Sequence, residues 1–301
     1  MNMKLPSSIL VVINSEDTSH IALERALQFA LLKEVHILLF SVVFEPLDNV
    51  ESILAFEYQD EAKSSYVNTV KQCLEKLSNE LETQGIHCSV NVQWHQEREV
   101  AIEKAVKMLE PDLVIKLVSA NSNSINPFAM PIDRHLLRYC SAPLLLITQA
   151  HWHAGPITLA IDPSAYDTQH IELNKRIMDY GQLLKAITKK DFNVVSSFHI
   201  PSVNQTFNMY GVNYDNVHED SFRVMREQLF ELLKIDNITK EQIHVVDGAA
   251  EYAIPKFINV SQTGLLVLGT VGRTGFSGLF IGNTAEKVLA EVNCEILALK
   301  Y

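Results

Sequence analysis

The 301-residue chain lacks most of the features that announce a function at first reading. Its four cysteines, Cys73, Cys88, Cys140 and Cys294, form no CxxC and no paired spacing. That argues against a disulfide framework or a thiolate metal site and for reduced thiols. Lysine and arginine do not gather into a basic stripe, and the net charge is −11 with histidine neutral. A general phosphate-backbone binder needs such a stripe to release counterions, so no nucleic-acid partner is expected. Lys189-Lys190 reads as a solvated helix end. No apolar run approaches the roughly 20 residues needed to cross a bilayer. No secretory leader is expected either, because Met1 to Ser8 is short and runs into a strand-like segment. The expected location is cytoplasmic, and the acceptor-like triplets at Asn204, Asn237 and Asn259 are discounted accordingly. There is no Ser/His/Asp order, no G-x-S-x-G elbow and no HExxH. His151-Trp-His153 reads as an ordered linker, and His199 as a rim or core histidine.

What the chain does have is itself, twice. The segment from Asp112-Leu-Val-Ile-Lys116 to Ala142-Pro-Leu-Leu-Leu-Ile147 aligns without gaps on the segment from Gly264-Leu-Leu-Val-Leu268 to Cys294-Glu-Ile-Leu-Ala-Leu299. Earlier in each copy, Ser8-Ile-Leu-Val-Val-Ile-Asn14 matches Pro156-Ile-Thr-Leu-Ala-Ile-Asp162, and Arg98-Glu-Val-Ala-Ile102 matches Ala250-Glu-Tyr-Ala-Ile254. The repeat divides the chain near residue 151, into domains expected at 1–150 and 151–301.

Each copy reads as five strands alternating with four helices. The strands are predicted near 8–14, 35–44, 86–94, 112–118 and 143–148, then near 157–162, 192–200, 242–247, 264–269 and 294–300. The runs Ile9-Leu-Val-Val-Ile13 and Leu144-Leu-Leu-Ile147 are continuous, not alternating. Such strands, separated by helices, belong to parallel sheets covered on both faces. Apolar residues at Ala22-Leu23, Ala26-Leu27 and Ala30-Leu31 mark the first helix. Val67, Val70, Leu74, Leu77 and Leu81 mark the second, and Ile171, Ile177, Leu184 and Ile187 mark the first helix of copy two.

The sharpest motif is Gly269-Thr-Val-Gly272-Arg273, continuing to Gly282-Asn283-Thr284. It lies between the apolar strand Leu265-Leu-Val-Leu268 and a helical segment. Backbone N–H groups in such a loop can cradle an anion at the positive end of the following helix. Arg273 adds a cation, and Asn283 or Thr284 can cap the helix or donate to a phosphate oxygen.

The spacing G-x2-G-x9-G resembles the nucleotide-binding signature of the universal stress protein family. The chain resembles the tandem, E-type members of that family over essentially its whole length. The family pattern has Ser or Thr directly after the last glycine; Asn283 stands there. The resemblance implies two α/β domains, each a doubly wound five-stranded parallel sheet of order 3-2-1-4-5, the adenine nucleotide alpha hydrolase-like fold. It also implies pairing through last strands, here between the two copies as an intramolecular pseudo-dimer, or between chains in a homodimer. Strands one and four are then neighbours at the switch point, where ligands bind. Asp162 and Gly269 would share that crevice, with Asp162 against the base and ribose. Gly248, after Asp247, would border the base or ribose. The alternative for Asp162 is a cap on its own loop, and for Gly248 a role in its turn alone. Asp162 with Asp247 leaves Mg²⁺ open as an accompanying ion, without an assigned metal site.

Copy one departs from the motif. Leu117, Ala120 and Met130 stand where copy two has Gly269, Gly272 and Gly282; Pro131 stands opposite Asn283, and Asn14 opposite Asp162. Copy one therefore reads as a degenerate domain, non-binding or accepting an uncharged ligand. Copy two, with its glycine motif intact, reads as the holder of ATP or another adenine nucleotide. The favoured reading is a stress-response binding module with an unidentified protein partner and no catalytic residues. A weak ATP hydrolase at the same site is one alternative. A scaffold or apolar-ligand binder with a vestigial nucleotide site is the other.

Overall fold

The computed structural model describes residues 5–14, 19–45, 56–118, 131–163, 168–199, 214–233, 238–270 and 283–300. The chain forms two compact units, Asn2–Trp152 and His153–Tyr301.

The first unit runs β1 (Ser8–Ile13), α1 (Ile21–Ala30), β2 (His36–Val43), α2 (Phe56–Thr83), β3 (Cys88–Trp94), α3 (Arg98–Leu109), β4 (Leu113–Leu117), α4 (Pro131–Tyr139) and β5 (Leu144–Ile147). Its strands are parallel, in the order β3-β2-β1-β4-β5. The second runs β6 (Ile157–Ala160), α5 (Thr168–Thr188), β7 (Phe192–Phe198), α6 (Tyr214–Leu233), β8 (Ile243–Asp247), α7 (Ala250–Val260), β9 (Leu265–Gly269), α8 (Asn283–Glu291) and β10 (Glu295–Leu299). Its order is β8-β7-β6-β9-β10, again parallel. In each unit's own numbering both orders are 3-2-1-4-5, as expected.

The continuous apolar runs became central strands because both faces are covered. Ile9, Leu10, Val11, Leu113, Val114 and Ile115 are fully buried, as are Leu159, Leu266 and Val267. Helix α1 turns Ala22, Leu23, Ala26 and Phe29 inward. On α2, Leu74, Ser78 and Leu81 are buried. Two residues of the apolar stripes do not face the core: Leu31 caps the end of α1 at 84% exposure, and Ile171 in the first turn of α5 is 55% exposed. Of the thiols, Cys73 is exposed and Cys88, Cys140 and Cys294 are buried. Burial pushes the Cys294 thiol up to about 12, so it is an inert core group.

Each unit pins the exit of its last strand with an arginine from its first helix. In the first unit, buried Arg25 donates to the carbonyls of Gln149, Ala150 and His151 at 2.7, 3.0 and 2.8 Å. Its guanidinium also lies 4.1 Å from the centre of the Trp152 ring. In the second unit, Arg176 donates to the carbonyl of Lys300. The linker reading of His151-Trp-His153 thus gains a physical basis. Lys190, expected to be a solvated helix end, instead donates to the carbonyls of His153 and Ala154 at 2.7 and 3.2 Å.

Candidate functional site

In the second unit β6 and β9 are neighbours in register, Ala160 opposite Leu268. β6 connects onward to β7 on one side, whereas β9 leads to β10 on the other. Their carboxyl ends therefore form the switch point, the place where sheets of this order bind ligands. Asp162, two residues beyond β6, and Gly269, the last residue of β9, lie at that edge.

Asp162 is exposed, and its backbone is fixed by a side chain the sequence did not single out. Asn174 on α5 donates from Nδ2 to the Asp162 carbonyl at 2.6 Å, and its Oδ1 accepts from the Asp162 N–H at 3.3 Å. Two hydrogen bonds of this kind set where the carboxylate begins. The alternation of α5 gave no hint of it, because an Asn in a helix usually faces solvent.

Gly269 has a packing reason of its own. A Cβ there would lie 2.3 Å from Leu173 Cδ2 and 2.8 Å from Leu173 Cγ. The Leu173 side chain of α5 therefore occupies the place that a side chain at 269 would need. The next residue, buried Thr270, is tied to β10: its N–H and Oγ1 both donate to the Leu299 carbonyl, at 2.9 and 3.2 Å. The loop starts from a fixed point. Gly272, Arg273 and Gly282 lie outside the described residues. Asn283 begins α8, and Thr284 is exposed in its first turn.

Gly248 follows β8 with φ 115°, a left-handed conformation that favours glycine. Its N–H donates to the Phe198 carbonyl at 3.1 Å, closing the ends of β7 and β8. A Cβ would meet only Ala253 at an ordinary 3.6 Å, so the requirement is conformational, not steric. Asp247 ends β8, and β7 separates that strand from β6. Two inter-strand spacings put the two strand ends about 10 Å apart, whereas Mg²⁺ binds oxygen at about 2 Å. Asp162 and Asp247 are thus poorly placed to share one ion. No group of three or more His, Cys, Asp or Glu suited to a metal occurs among the described residues.

The first unit has the same switch point with other chemistry. A cavity of about 770 Å³ opens at the carboxyl ends of β1 and β4, lined by Asn14, Lys116 and Leu117 among others. Lys116 Nζ pairs with Asp133 Oδ1 at 2.7 Å and donates to the Leu117 carbonyl at 2.8 Å. Both charged side chains are buried, Asp133 completely. The gapless repeat places Leu268 opposite Lys116 and Ala285 opposite Asp133. An apolar pair in one unit is a buried ion pair in the other.

Residues 196–300 match the model of the Universal stress protein family. Over nearly the full length, the chain is 25% identical to the universal stress protein E homolog of Haemophilus influenzae across 302 residues, covering 97% of each chain. The chain resembles tandem universal stress proteins of the E type. Universal stress protein E of Escherichia coli K12 is 24% identical over 302 residues, covering 99% of this chain and 95% of that one. The crystal structure of a putative universal stress protein from Pseudomonas aeruginosa superposes with a TM-score of 0.74 at 26% identity, covering 100% of this chain and 95% of that one. The family model falls on the unit with the glycine motif, while resemblance to the E-type relatives takes in both units. No helix among the described residues is long and apolar enough to cross a membrane.

Proposed function

We propose that the second unit binds an adenine nucleotide, ATP or a close relative, and that the chain is a cytoplasmic stress-response module that senses this ligand and signals to a protein partner. The observation that supports the reading is the register of β6 on β9, which puts Asp162 and Gly269 at neighbouring strand ends. Asn174 holds the Asp162 backbone so that its carboxylate can accept from an adenine amino group or a ribose hydroxyl. The glycine loop, anchored by Thr270 at its entry, supplies backbone N–H groups for phosphates, and Arg273 supplies a cation. Mg²⁺ would enter only with the nucleotide, since the strand ends do not favour Asp162 and Asp247 as joint ligands.

Titration calorimetry with ATP tests the reading. One site per chain is expected, and Gly272→Val should abolish binding, because a β-branched residue obstructs the phosphate approach and resists positive φ. Two equal sites, or unchanged affinity in the variant, would overturn it.

One observation favours a second reading. Leu173 accounts for Gly269 without any ligand. On that reading the glycine motif is retained for packing, the nucleotide site is vestigial, and no ATP binds to the unaltered chain.

A further inference from the structure

One short stretch of α5 touches three strand ends of the second unit. Leu173, Asn174 and Arg176 lie within about one helical turn. Leu173 fills the space beside Gly269, the last residue of β9. Asn174 holds the Asp162 backbone beyond β6 through both its N–H and its carbonyl. Arg176 donates to the carbonyl of Lys300, just past β10. β6, β9 and β10 are neighbours in the sheet, with β9 in the middle. Three strand ends span about 10 Å. A helical turn rises about 5.4 Å, and the long arginine side chain covers the rest.

The exit of β10 is held a second time. The Leu299 carbonyl accepts from the N–H and Oγ1 of Thr270, at 2.9 and 3.2 Å, and the next carbonyl, that of Lys300, accepts from Arg176. Thr270 directly follows Gly269, where the glycine loop begins. The loop entry and α5 therefore meet at two consecutive peptide groups.

The first unit supplies a comparison. There, too, an arginine of the first helix takes the carbonyls after the last strand, and the Val118 N–H donates to the Ile147 carbonyl at 2.8 Å as Thr270 does to Leu299. With Arg25 aligned on Arg176, however, Leu23 falls at the place of Asn174. Leu23 is buried and apolar, and cannot hold the backbone after β1 by amide hydrogen bonds. Val118 has no hydroxyl to match Thr270. The grip on the exit thus belongs to both units. The amide grip on the first strand's end and the hydroxyl tie at the loop entry belong to the unit with the glycine motif.

Intrahelical hydrogen bonds hold residues 173–176 as one body, so a shift that moves this turn disturbs all three grips together. We propose that this turn of α5 couples the Asp162–Gly269 switch point to the exit of β10, so that a ligand settled at the switch point firms the backbone at Leu299 and Lys300. The coupling is reciprocal: a partner that engages the backbone at Lys300 changes affinity at the switch point by the same factor. The identity of the ligand rests on the nucleotide reading above, and the coupling itself does not.

Amide hydrogen exchange of the full chain, resolved by residue, tests this with distant reporters. Arg176→Gln removes the grip on Lys300, and its distant reporter is the Asp162 N–H. Asn174→Leu writes in the first unit's residue, and its distant reporter is the Thr270 N–H. Each distant amide should exchange about five-fold faster, the low end of typical couplings between sites. The Gly248 N–H, bonded to the Phe198 carbonyl away from these tethers, should keep its rate, whereas general loosening of the unit would move it as well. Arg176→Lys keeps a long donor and should restore most of the protection at Asp162. Calorimetry with ATP should show binding about five-fold weaker in Arg176→Gln than in the unaltered chain. Distant amides that keep their rates in both variants, Gly248 rising in step with them, or ATP bound equally well with and without Arg176 would each overturn the coupling. Distant amides that respond as expected in a chain that binds no ATP would support the coupling and overturn the nucleotide reading alone.

Discussion

The ends of β4 and β9 occupy the same place in two copies of one fold, yet they are built on opposite principles. At β9 the chain is apolar and close: Leu268 and Ala285 stand at the paired positions, and Gly269 lets Leu173 of α5 settle against the strand end. At β4 the same layer carries a lysine on the strand and an aspartate on the helix, and Leu117 takes the glycine's place. Strand order and register are the same in both. The sheet therefore does not depend on what occupies its strand ends, and those ends are free to diverge in ligand chemistry. That is the general logic by which one α/β fold carries many sites.

The ion pair is where this comparison can be broken most decisively. Asp133→Ala should cost the first unit about 3–5 kcal/mol, because Lys116 would be left buried without its counter-charge. Lys116→Leu with Asp133→Ala writes the second unit's residues into the first and should regain most of that loss. Urea unfolding followed by tryptophan fluorescence isolates the right half, since Trp94 and Trp152 are the only tryptophans and both belong to the first unit. A double variant no more stable than the single one would show that the two layers are not interchangeable.

Next in size is the glycine. Gly269→Ala should destabilise the second unit by about 1–3 kcal/mol through overpacking, and adding Leu173→Ala should relieve it. Amide hydrogen exchange in β9 and β6 reads the effect. If Gly269→Ala alone is neutral, Leu173 yields easily and the glycine is kept for another reason. A smaller effect concerns affinity. Asn283→Ser restores the hydroxyl of the family pattern and should tighten ATP binding by about 1 kcal/mol, one recovered hydrogen bond. Calorimetry would show it, and an unchanged constant would mean that residue 283 does not touch the phosphates.

The smallest effect is one of pH. Burial, with Arg226 nearby, holds the His244 imidazole below its ordinary value of 6.5. The neutral form is preferred in the fold, so this contribution is present above 6.5 and is lost as pH falls through the lower folded value. His244→Phe should make the acid limb of second-unit stability shallower and leave the tryptophan signal of the first unit unaltered. A histidine C2–H titration at or above 6.5 would contradict it.

The strands were legible because their cause is local. A run such as Ile9-Leu-Val-Val-Ile13 carries its burial in its own composition, and the ten strands among the described residues fall within a residue or two of the sequence reading. The reasons behind the site residues are not local. Gly269 looked like a phosphate-loop glycine, and nothing beside it in sequence announces Leu173 overhead. Asp162 was legible as a strand-end carboxylate, but not the grip of Asn174 on its backbone. Lys116 ends the quoted run Asp112-Leu-Val-Ile, which says nothing of its partner Asp133 on the next helix. Leu31 and Ile171 fit an apolar period and still lie outside, because periodicity does not say where a helix stops contacting its sheet.

Arg25 sets a clock on the joint between the two halves. Because its guanidinium holds the carbonyls of Gln149, Ala150 and His151, that stretch of backbone is not a loose tether offered to any protease. A protease must wait for α1 to release it. Cleavage there would then proceed no faster than local opening of the first unit allows. The rate of nicking near residue 150 becomes a measure of how often the first unit breathes.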